Sequence, residues 1–390
     1  MKSWYFCEMS YHPAWTKTDG PIRNTMPSKY YDPIEGSALY NRFLDEYAMC
    51  DELGINLMFN EHHSTATCLN AACTVPLAIM ARQTKRSRLL ALGMPLANRR
   101  DPLRVAEEFA LIDVISGGRV EMGFVKGSPQ EVFPANGNPV DMMERFWEAH
   151  DLIIKAMGTH GGPFSWEGRH FDYRNVNLWP RPIQDPHPPI WVTGGSESSA
   201  VAVAQKGYVF ATLNTGFSLT KRLFDTYRKT AAPGFKTDDK LAYLALLSLG
   251  STKEEAFRRA DQVLDYVRNS GRTAPHFSNP PGYSPVAANM AALKAGITGA
   301  LGNHQVVRSR GGERISRDTL TVENMIEAGV MFAGTPDMVC KQIEDFRSHV
   351  GGFNHLMFMS QGGWMSHVDA AANIQLFGKE VLPRIQSIGE

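Results

Sequence analysis

The sequence has few cysteines, no excess of either charge and no long apolar run. Its cysteines are an odd set without CxxC spacing, Cys7, Cys50, Cys68, Cys73 and Cys340, which argues against a disulfide framework and against a zinc ribbon. The 40 basic and 40 acidic residues cancel, so the chain lacks the basic surface that binds nucleic acid or an anionic membrane. No segment predicts a signal peptide or a membrane span. A cytoplasmic protein with a small-molecule partner is therefore expected.

Short apolar runs alternate with helical patterns along most of the 390 residues. This alternation predicts repeated βα units around a parallel sheet, and the length fits either two domains or one large barrel with insertions. Eight runs are predicted as strands, near Trp4–Cys7, Ile55–Asn60, Leu89–Met94, Arg119–Phe124, Pro189–Thr193, Tyr208–Leu213, Leu241–Leu249 and His355–Met359.

Two long segments interrupt the alternation. Residues 10–36 are rich in Pro, Tyr and Gly and predict an extended loop after the first strand. Residues 271–317 contain FSNPPGYSP and SRGGER and predict an irregular insertion. Loops of this length in an enzyme often cover a substrate, so an active-site lid is one interpretation and an oligomer contact is the other.

The segment Glu61-His62-His63 directly follows an apolar run, where a buried strand opens into a loop. Histidine is the side chain best suited to move protons near neutral pH, which favours an acid–base role. The alternative is that both histidines are hydrogen-bonded packing residues. The motif lacks HExxH spacing and has no second His or Cys cluster nearby, so no metal site is predicted.

Two further motifs follow predicted strands. In PIWVTGGSESSAVAVAQKGY, two glycines precede serines that open a helix. Free N–H groups and hydroxyls at a helix start form a phosphate site, although a plain capped helix has the same pattern. In GFVKGS, Lys126 lies among small residues, where it can reach a phosphate or remain an ordinary solvated lysine. The carboxyl ends of barrel strands share one rim, so all three motifs can contact one ligand.

Taken together, these motifs resemble the bacterial luciferase-like flavin-dependent monooxygenases. The matching segments are NEHH at Asn60–His63, DPLRVAEEFALIDVISGGR at Asp101–Arg119, GGSESSAVAVAQKGY at Gly194–Tyr208 and GTPDMV at Gly334–Val339. The resemblance implies a single (β/α)8 TIM barrel over residues 1–390, with insertions at its carboxyl-terminal face. It also implies reduced FMN as co-substrate, O2, a separate NAD(P)H-dependent flavin reductase and a homodimer.

Site residues carry over from the resemblance position by position. His62 falls on the family's proton-handling or peroxide-stabilising histidine. The residues expected at the cofactor are Met94, Val125, Lys126, Gly194, Gly195, Ser196 and Ser199. Val125 departs from the luciferases, which have a reactive cysteine there, so no thiol role is carried over. A cis peptide known in the family falls in the strand near Met94.

The resemblance implies that the flavin reacts with O2 to form a hydroperoxide, which oxygenates a small organic substrate. Residues expected at the substrate, by position, are Phe6, Glu8, Tyr11 and His63, with Phe277 and Tyr283 on the lid. Two alternatives share the fold: a deazaflavin-dependent oxidoreductase that transfers hydride without O2, and a non-catalytic flavin-barrel subunit.

Overall fold

A computed structural model describes residues 1–278, 282, 286, 290, 307–315 and 320–388. Eight parallel strands form a closed barrel, in which each strand pairs with the next and the last pairs with the first. The barrel strands are β1 (Lys2–Phe6), β2 (Asn56–Phe59), β3 (Leu89–Pro95), β4 (Val120–Val125), β7 (Ile190–Thr193), β8 (Val209–Leu213), β9 (Leu241–Leu249) and β13 (His355–Met359). They coincide with the eight predicted strands, so the (β/α)8 prediction is confirmed.

The strands are apolar because both of their faces are covered. Every residue of β3, β9 and β13 is buried, as expected for parallel strands between a barrel interior and a layer of helices. Side chains alternate between the two faces: Trp4, Phe6 and Leu90 belong to one buried cluster, and Tyr5 and Leu89 belong to the other. The barrel interior is therefore a packed core, which leaves the carboxyl-terminal rim as the place for a ligand.

Helices follow most of the barrel strands. They are α1 (Pro33–Glu52), α2 (Thr74–Gln83), α3 (Pro102–Ser116), α4 (Pro129–Val132), α5 (Met142–Gly158), α6 (Glu197–Gln205), α7 (Gly216–Thr230), α8 (Lys253–Ser270), α9 (Pro275–Ser278), α10 (Val322–Glu327), α11 (Pro336–His349), α12 (His367–Leu376) and α13 (Leu382–Gln386), and a π-helical turn, Phe377–Val381, joins the last two. Helix α3 shows how particular residues determine where a helix begins and ends. At its start, the side chain of Asp101 accepts from the Arg104 N–H, and at its end Gly117 adopts a left-handed φ of 69°.

One strand of the main sheet was not predicted. β12 (Met331–Gly334) pairs with the second half of β9, from Leu246 to Leu249, whereas β13 pairs with the first half up to Leu246. The nine-residue β9 extends beyond its barrel neighbour, and β12 supplies hydrogen bonds to the part that extends. A four-residue run is too short for its periodicity to identify it as a strand.

Smaller elements lie outside the barrel. β5 (Phe164–Glu167) and β6 (Asp172–Val176) form one antiparallel pair, and β10 (Val307–Arg308) and β11 (Arg314–Ile315) form another. The second pair lies within the predicted insertion at 271–317, as does α9, and Tyr283 lies outside the described residues. Two short 3-10 turns, His12–Lys17 and Ser28–Tyr30, occur in the loop after β1. None of the described helices is long and apolar enough to cross a membrane.

Candidate active site at the barrel rim

His62 lies between two buried carboxylates at the rim. Its Nδ1 is 2.6 Å from Oε1 of Glu131, and its Nε2 is 4.0 Å from Oε2 of Glu8. A carboxylate only accepts, so Nδ1 carries the hydrogen and donates to Glu131. Glu8 also accepts a 2.7 Å hydrogen bond from Asn60. The imidazole is 25% exposed, so part of the ring remains accessible.

These contacts move the protonation equilibria of the pair in opposite directions. Burial alone would lower the pKa of His62, but the charge and hydrogen bond of Glu131, together with the charge of Glu8, raise it above the usual value of 6.5. Burial alone would raise the pKa of Glu131, but the charge of His62 and hydrogen bonds from His62 and Ser128 lower it from 4.5 to about 2. Both shifts therefore favour the ion pair, an imidazolium beside a carboxylate, over the neutral pair.

The adjacent histidine belongs to a different network. His63 Nε2 lies 3.0 Å from Oε1 of Glu61, a fully buried carboxylate. Both Glu61 oxygens also accept from Arg99 Nη2, at 2.6 and 2.7 Å, and Oε2 accepts from the Cys73 N–H at 3.1 Å. Burial would raise the pKa of Glu61, but the hydrogen bond from His63 and the charge of Arg99 lower it. Glu61 is therefore a fixed anion that orients its neighbours.

The turn after β7 is an open helix start. Ser196 caps α6 by accepting from the Ser199 N–H at 3.2 Å, and the Ser196 hydroxyl lies 3.0 Å from that of Ser198 and 2.5 Å from that of Ser199. A Cβ built on Gly195 would meet nothing within 4 Å, whereas one on Gly194 would lie 2.6 Å from the Ser199 Cβ. The turn therefore needs glycine at 194 for packing, and the space beside Gly195 is open.

Lys126 lies next to this turn because β4 and β7 are neighbours in the barrel. Phe124 is in register with Val192, so Lys126 and Gly194 each lie two residues beyond a paired position. Burial lowers the pKa of Lys126, and an anion close to its ammonium group would counter that effect. The geometry therefore brings the two predicted phosphate motifs to one place.

The strand that carries Met94 and the end of β4 pack very closely. A cis peptide joins Leu92 and Gly93, in the strand segment where the family's cis peptide was expected. A Cβ on Gly93 would lie 2.0 Å from Cγ1 of Val125. The sulfur of Met94 accepts from Arg99, with distances of 3.1 Å to Nε and 2.8 Å to Nη2. The side chain of Met94 is therefore turned toward Arg99.

The residues predicted at the substrate have different surroundings. Phe6 belongs to the same buried cluster as Leu92 and Met359, and Glu8 lies beside His62. Tyr11 donates its hydroxyl hydrogen to Glu35 at 3.0 Å and accepts from the Asp32 N–H at 2.9 Å. The Tyr11 hydroxyl is therefore hydrogen-bonded to residues at the start of α1.

Phe277, predicted on the lid, makes an edge contact with Phe133 at 5.7 Å between ring centroids. This contact connects α9 to the turn that follows α4, on the side of the rim where Glu131 lies.

Glu131 is the main site residue that sequence analysis missed. It lies 69 positions from His62, so no local spacing connects them. A usable signal was present in Ser128-Pro129-Gln130-Glu131, which has the capping-box pattern, and both bonds of that box form in the structure. The pattern predicts a short helix start but does not show that the Glu131 carboxylate also reaches His62.

Comparison with known proteins gives a consistent result. A family model for luciferase-like monooxygenases matches residues 27–352. Protein y4wF of Sinorhizobium fredii is 31% identical over 253 residues, which are 61% of this chain and 73% of y4wF. The FMNH2-dependent dimethylsulfone monooxygenase of Pseudomonas putida is 28% identical over 50% of this chain, and the oxygenase component of the flavin-dependent trigonelline monooxygenase of Acinetobacter baylyi is 25% identical over 43% of it. These matches span 52% and 47% of the two monooxygenases.

Solved structures share the fold. Monooxygenase RslO1 from Streptomyces bottropensis aligns with a TM-score of 0.69 at 24% identity, covering 89% of this chain and 94% of RslO1. The oxygenating constituent of 3,6-diketocamphane monooxygenase from Pseudomonas putida, in complex with FMN, aligns with a TM-score of 0.70 at 18% identity, covering 98% and 97%. An F420-dependent secondary alcohol dehydrogenase aligns with a TM-score of 0.62 at 18% identity, covering 91% and 96%. Because the family model covers most of the sequence, the chain belongs to the luciferase-like monooxygenase family.

Proposed function

We propose that this protein is a monooxygenase that takes reduced FMN from a separate NAD(P)H-dependent reductase and uses O2 to oxygenate a small organic substrate. The observation that carries the proposal is His62 at the barrel rim, whose Nδ1 is held by Glu131 and whose Nε2 lies 4.0 Å from Glu8. A positioned imidazolium is what a reaction that adds and removes protons on bound oxygen species requires. The flavin-dependent relatives support this choice of chemistry.

The residues at the turn after β7 fit the phosphate of FMN. Three serine hydroxyls lie together at the start of the nine-residue α6, where the helix dipole favours a negative charge. The space beside Gly195 would admit a phosphate oxygen close to the backbone. Lys126 would supply the cation from the neighbouring strand. We assign Gly195, Ser196, Ser199 and Lys126 to this phosphate, and Gly194, Val125 and Met94 to the surrounding walls.

The order of the strands supports a location for the flavin ring. In the barrel order, β3 and β4 separate β2, which precedes His62, from β7, which precedes the serine turn. We propose that a cofactor in contact with both motifs would lie over the ends of β4 and β3, near Val125 and Gly93. When bound, reduced FMN supplies two electrons to O2, so that one oxygen atom enters the substrate and the other leaves as water. His62 would hold or deliver the proton through Nε2, and Glu131 would keep its ring oriented.

Homodimer formation is part of the proposal. Five apolar side chains, Val75 and Ile79 on α2 and Leu111, Val114 and Ile115 on α3, are between 36% and 58% exposed. The two helices pack side by side, so these side chains form one apolar face. A second copy of the same face would cover it by two-fold symmetry.

An anaerobic titration with reduced FMN tests the cofactor, with reduced F420 and riboflavin as competitors. We expect FMN to bind more tightly than riboflavin, because riboflavin lacks the phosphate. The loaded protein is then mixed with O2. The wild-type protein should consume O2 faster than a His62→Ala variant loaded with reduced FMN in the same way. Preferential binding of F420 without O2 consumption would instead indicate hydride transfer, and FMN binding without any turnover alone or with a reductase would indicate a non-catalytic subunit.

A further inference from the structure

We infer that a cavity lined by Glu131, the carboxylate that binds His62, holds a small carboxylic acid that also carries a hydrogen-bond donor. The cavity has a volume of about 280 Å³, and its lining includes Glu61, His63, Asn98, Arg99 and Glu131. The inference rests on the proposed function only in taking this acid to be the organic substrate. Binding itself does not depend on a flavin.

Glu131 connects the cavity to His62. His62 directs Nε2 toward Glu8 and Nδ1 toward Glu131, and Glu131 is part of the cavity wall whereas Glu8 is not. The other walls come from the loops that follow β1, β2 and β3. A ligand in the cavity would therefore lie one residue away from the proposed proton donor.

Hydrogen-bond donors in the cavity wall favour a carboxylate. Arg99 binds Glu61 through Nη2 and Met94 through Nε and Nη2, and no acceptor contacts its Nη1 among the residues that the structure describes. His63 likewise uses only Nε2, for Glu61. The oxygens of Glu61 and Glu131 already accept from several donors, so these carboxylates are compensated. The N–H groups on Nη1 of Arg99 therefore favour a carboxylate oxygen of the ligand, because a charged acceptor forms the stronger hydrogen bond with a guanidinium.

Two acceptors beside the cavity lack a hydrogen-bond donor, which favours a donor on the same ligand. The Oδ1 atoms of Asn24 and Asn98 are buried and have no hydrogen-bond partner among the described residues, and both residues line the cavity. The Asn24 side chain cannot simply be turned over, because its Nδ2 donates to the Gln130 carbonyl at 2.7 Å. A buried acceptor without a partner is costly. Both oxygens are shielded from the cavity in the present side-chain positions, so a ligand hydroxyl or amine would donate to either one after a small rotation of that side chain toward the cavity.

The backbone at the cavity edge is held in an unusual conformation. Asn24 has a φ of 65° and Ser64 a φ of 53°, and the Asn24 N–H donates to the Ser64 carbonyl at 2.6 Å. Left-handed residues other than glycine persist where the surrounding structure fixes them, and they are common at ligand sites. Here they fix the positions of the loop that carries Asn24 and the loop that carries His63.

Size and apolar lining limit the rest of the ligand. The volume of 280 Å³ corresponds to about nine water molecules at ~30 Å³ each, so a ligand of about ten non-hydrogen atoms fits. Pro95, Pro134 and Ala135 supply apolar wall, against which a ring can pack. Hydroxybenzoates combine this size with a carboxylate and a hydroxyl donor.

Calorimetry on the flavin-free protein tests the inference with four probes: 3-hydroxybenzoate, 4-hydroxybenzoate, benzoate and 3-hydroxybenzamide. We expect a hydroxybenzoate to bind in the millimolar range or tighter. Benzoate lacks the donor and the benzamide lacks the charge, so each should bind about tenfold more weakly. Equal affinity for the acid and the amide, or no binding of either hydroxybenzoate, would overturn the inference.

Two kinds of variant identify the groups responsible. Arg99→Lys keeps a cation beside Glu61 but removes Nη1. We expect this variant to bind the hydroxybenzoates about tenfold more weakly and to bind 3-hydroxybenzamide with unchanged affinity. Asn98→Leu and Asn24→Leu remove the unpaired oxygens, and at least one should abolish the preference for a hydroxyl group. Unchanged preferences in all three folded variants, checked by thermal unfolding, would overturn the assignment.

Titration of the same wild-type preparation with reduced FMN separates the two proposals. Acid binding without FMN binding would leave the cavity assignment standing and reject the flavin function. FMN binding without acid binding would reject the cavity assignment alone.

Discussion

The Nδ1 atom of His62 lies 2.6 Å from Oε1 of Glu131, and the other oxygen of Glu131 accepts from the Ser128 hydroxyl at 2.7 Å. The start of the short helix α4 thus fixes the carboxylate of Glu131, and the carboxylate in turn orients the imidazole of His62. A residue positioned in this way controls both the direction and the proton affinity of the histidine.

Replacing Glu131 by Gln should lower turnover and shift its pH dependence. The amide keeps the size of the side chain but removes the charge that raises the pKa of His62, so the pH limb that reports His62 should move to lower pH. Loss of acid–base function typically costs about 10²-fold or more in rate. We expect a loss of this size for His62→Ala and a smaller one for Glu131→Gln, both with unchanged FMN affinity. Unaltered turnover in His62→Ala would remove His62 from the mechanism.

The same ion pair should stabilise the fold in a defined pH window. Glu131 has its pKa lowered from 4.5 to about 2, so its contribution is present above pH 4.5 and is lost as the pH falls toward 2. His62 has its pKa raised above 6.5, so its contribution is present below pH 6.5 and is lost as the pH rises through the raised value. Both contributions are complete between these limits.

Urea unfolding at about pH 3, 5.5 and 9 checks this window. The wild-type protein should exceed Glu131→Gln most in free energy of unfolding at the middle value. Glu107→Gln is a matched control, because its pair with Arg104 is largely exposed and such pairs contribute little. A difference between wild type and Glu131→Gln that did not vary with pH would contradict the ion-pair description.

The barrel was largely predictable from the sequence, whereas the site was predictable only in part. Buried parallel strands leave continuous apolar runs, and all eight barrel strands were identified from them. His62 and the serines at the start of α6 became candidate site residues because each group follows such a run. Glu131, Asn98 and Arg99 were not found, because their roles depend on contacts between loops that follow different strands. The neighbours His62 and His63 bind different carboxylates, Glu131 and Glu61. Their adjacent positions in the sequence do not predict this difference.

Gly93 should tolerate no side chain while Val125 is present. A Cβ at Gly93 would lie 2.0 Å from the Val125 Cγ1, so Gly93→Ala should destabilise the protein by at least about 1–3 kcal/mol through overpacking. Adding Val125→Ala removes the closest atom and should recover part of this loss. Gly158→Ala is the control, because a Cβ there meets nothing within 4 Å. Thermal unfolding measures all of them, and a double variant no more stable than Gly93→Ala would argue against this contact as the cause.

The apolar face on α2 and α3 should hold two copies together. Val114→Arg places a charge in its middle, so we expect this variant to sediment as a monomer at micromolar concentration while the wild-type protein sediments as a dimer. Ile34→Arg makes the same change at an 81% exposed position on α1 and should remain a dimer. A monomeric wild-type protein, or a Val114→Arg variant that is still dimeric, would show that this face has another role.

Lys126 and Ser199 should matter for FMN but not for riboflavin. If they bind the phosphate, each charge-assisted contact is worth ~1.5–3 kcal/mol. Lys126→Ala and Ser199→Ala should therefore each lower the affinity for reduced FMN by about 10- to 100-fold. Riboflavin has no phosphate, and its affinity should not change in either variant. Lys206→Ala is the control, because Lys206 follows the other end of α6, and it should bind both flavins as the wild-type protein does. Fluorescence titration of the two flavins gives the comparison, and an equal loss for both would mean that these residues contact the ring or support the fold instead of binding the phosphate.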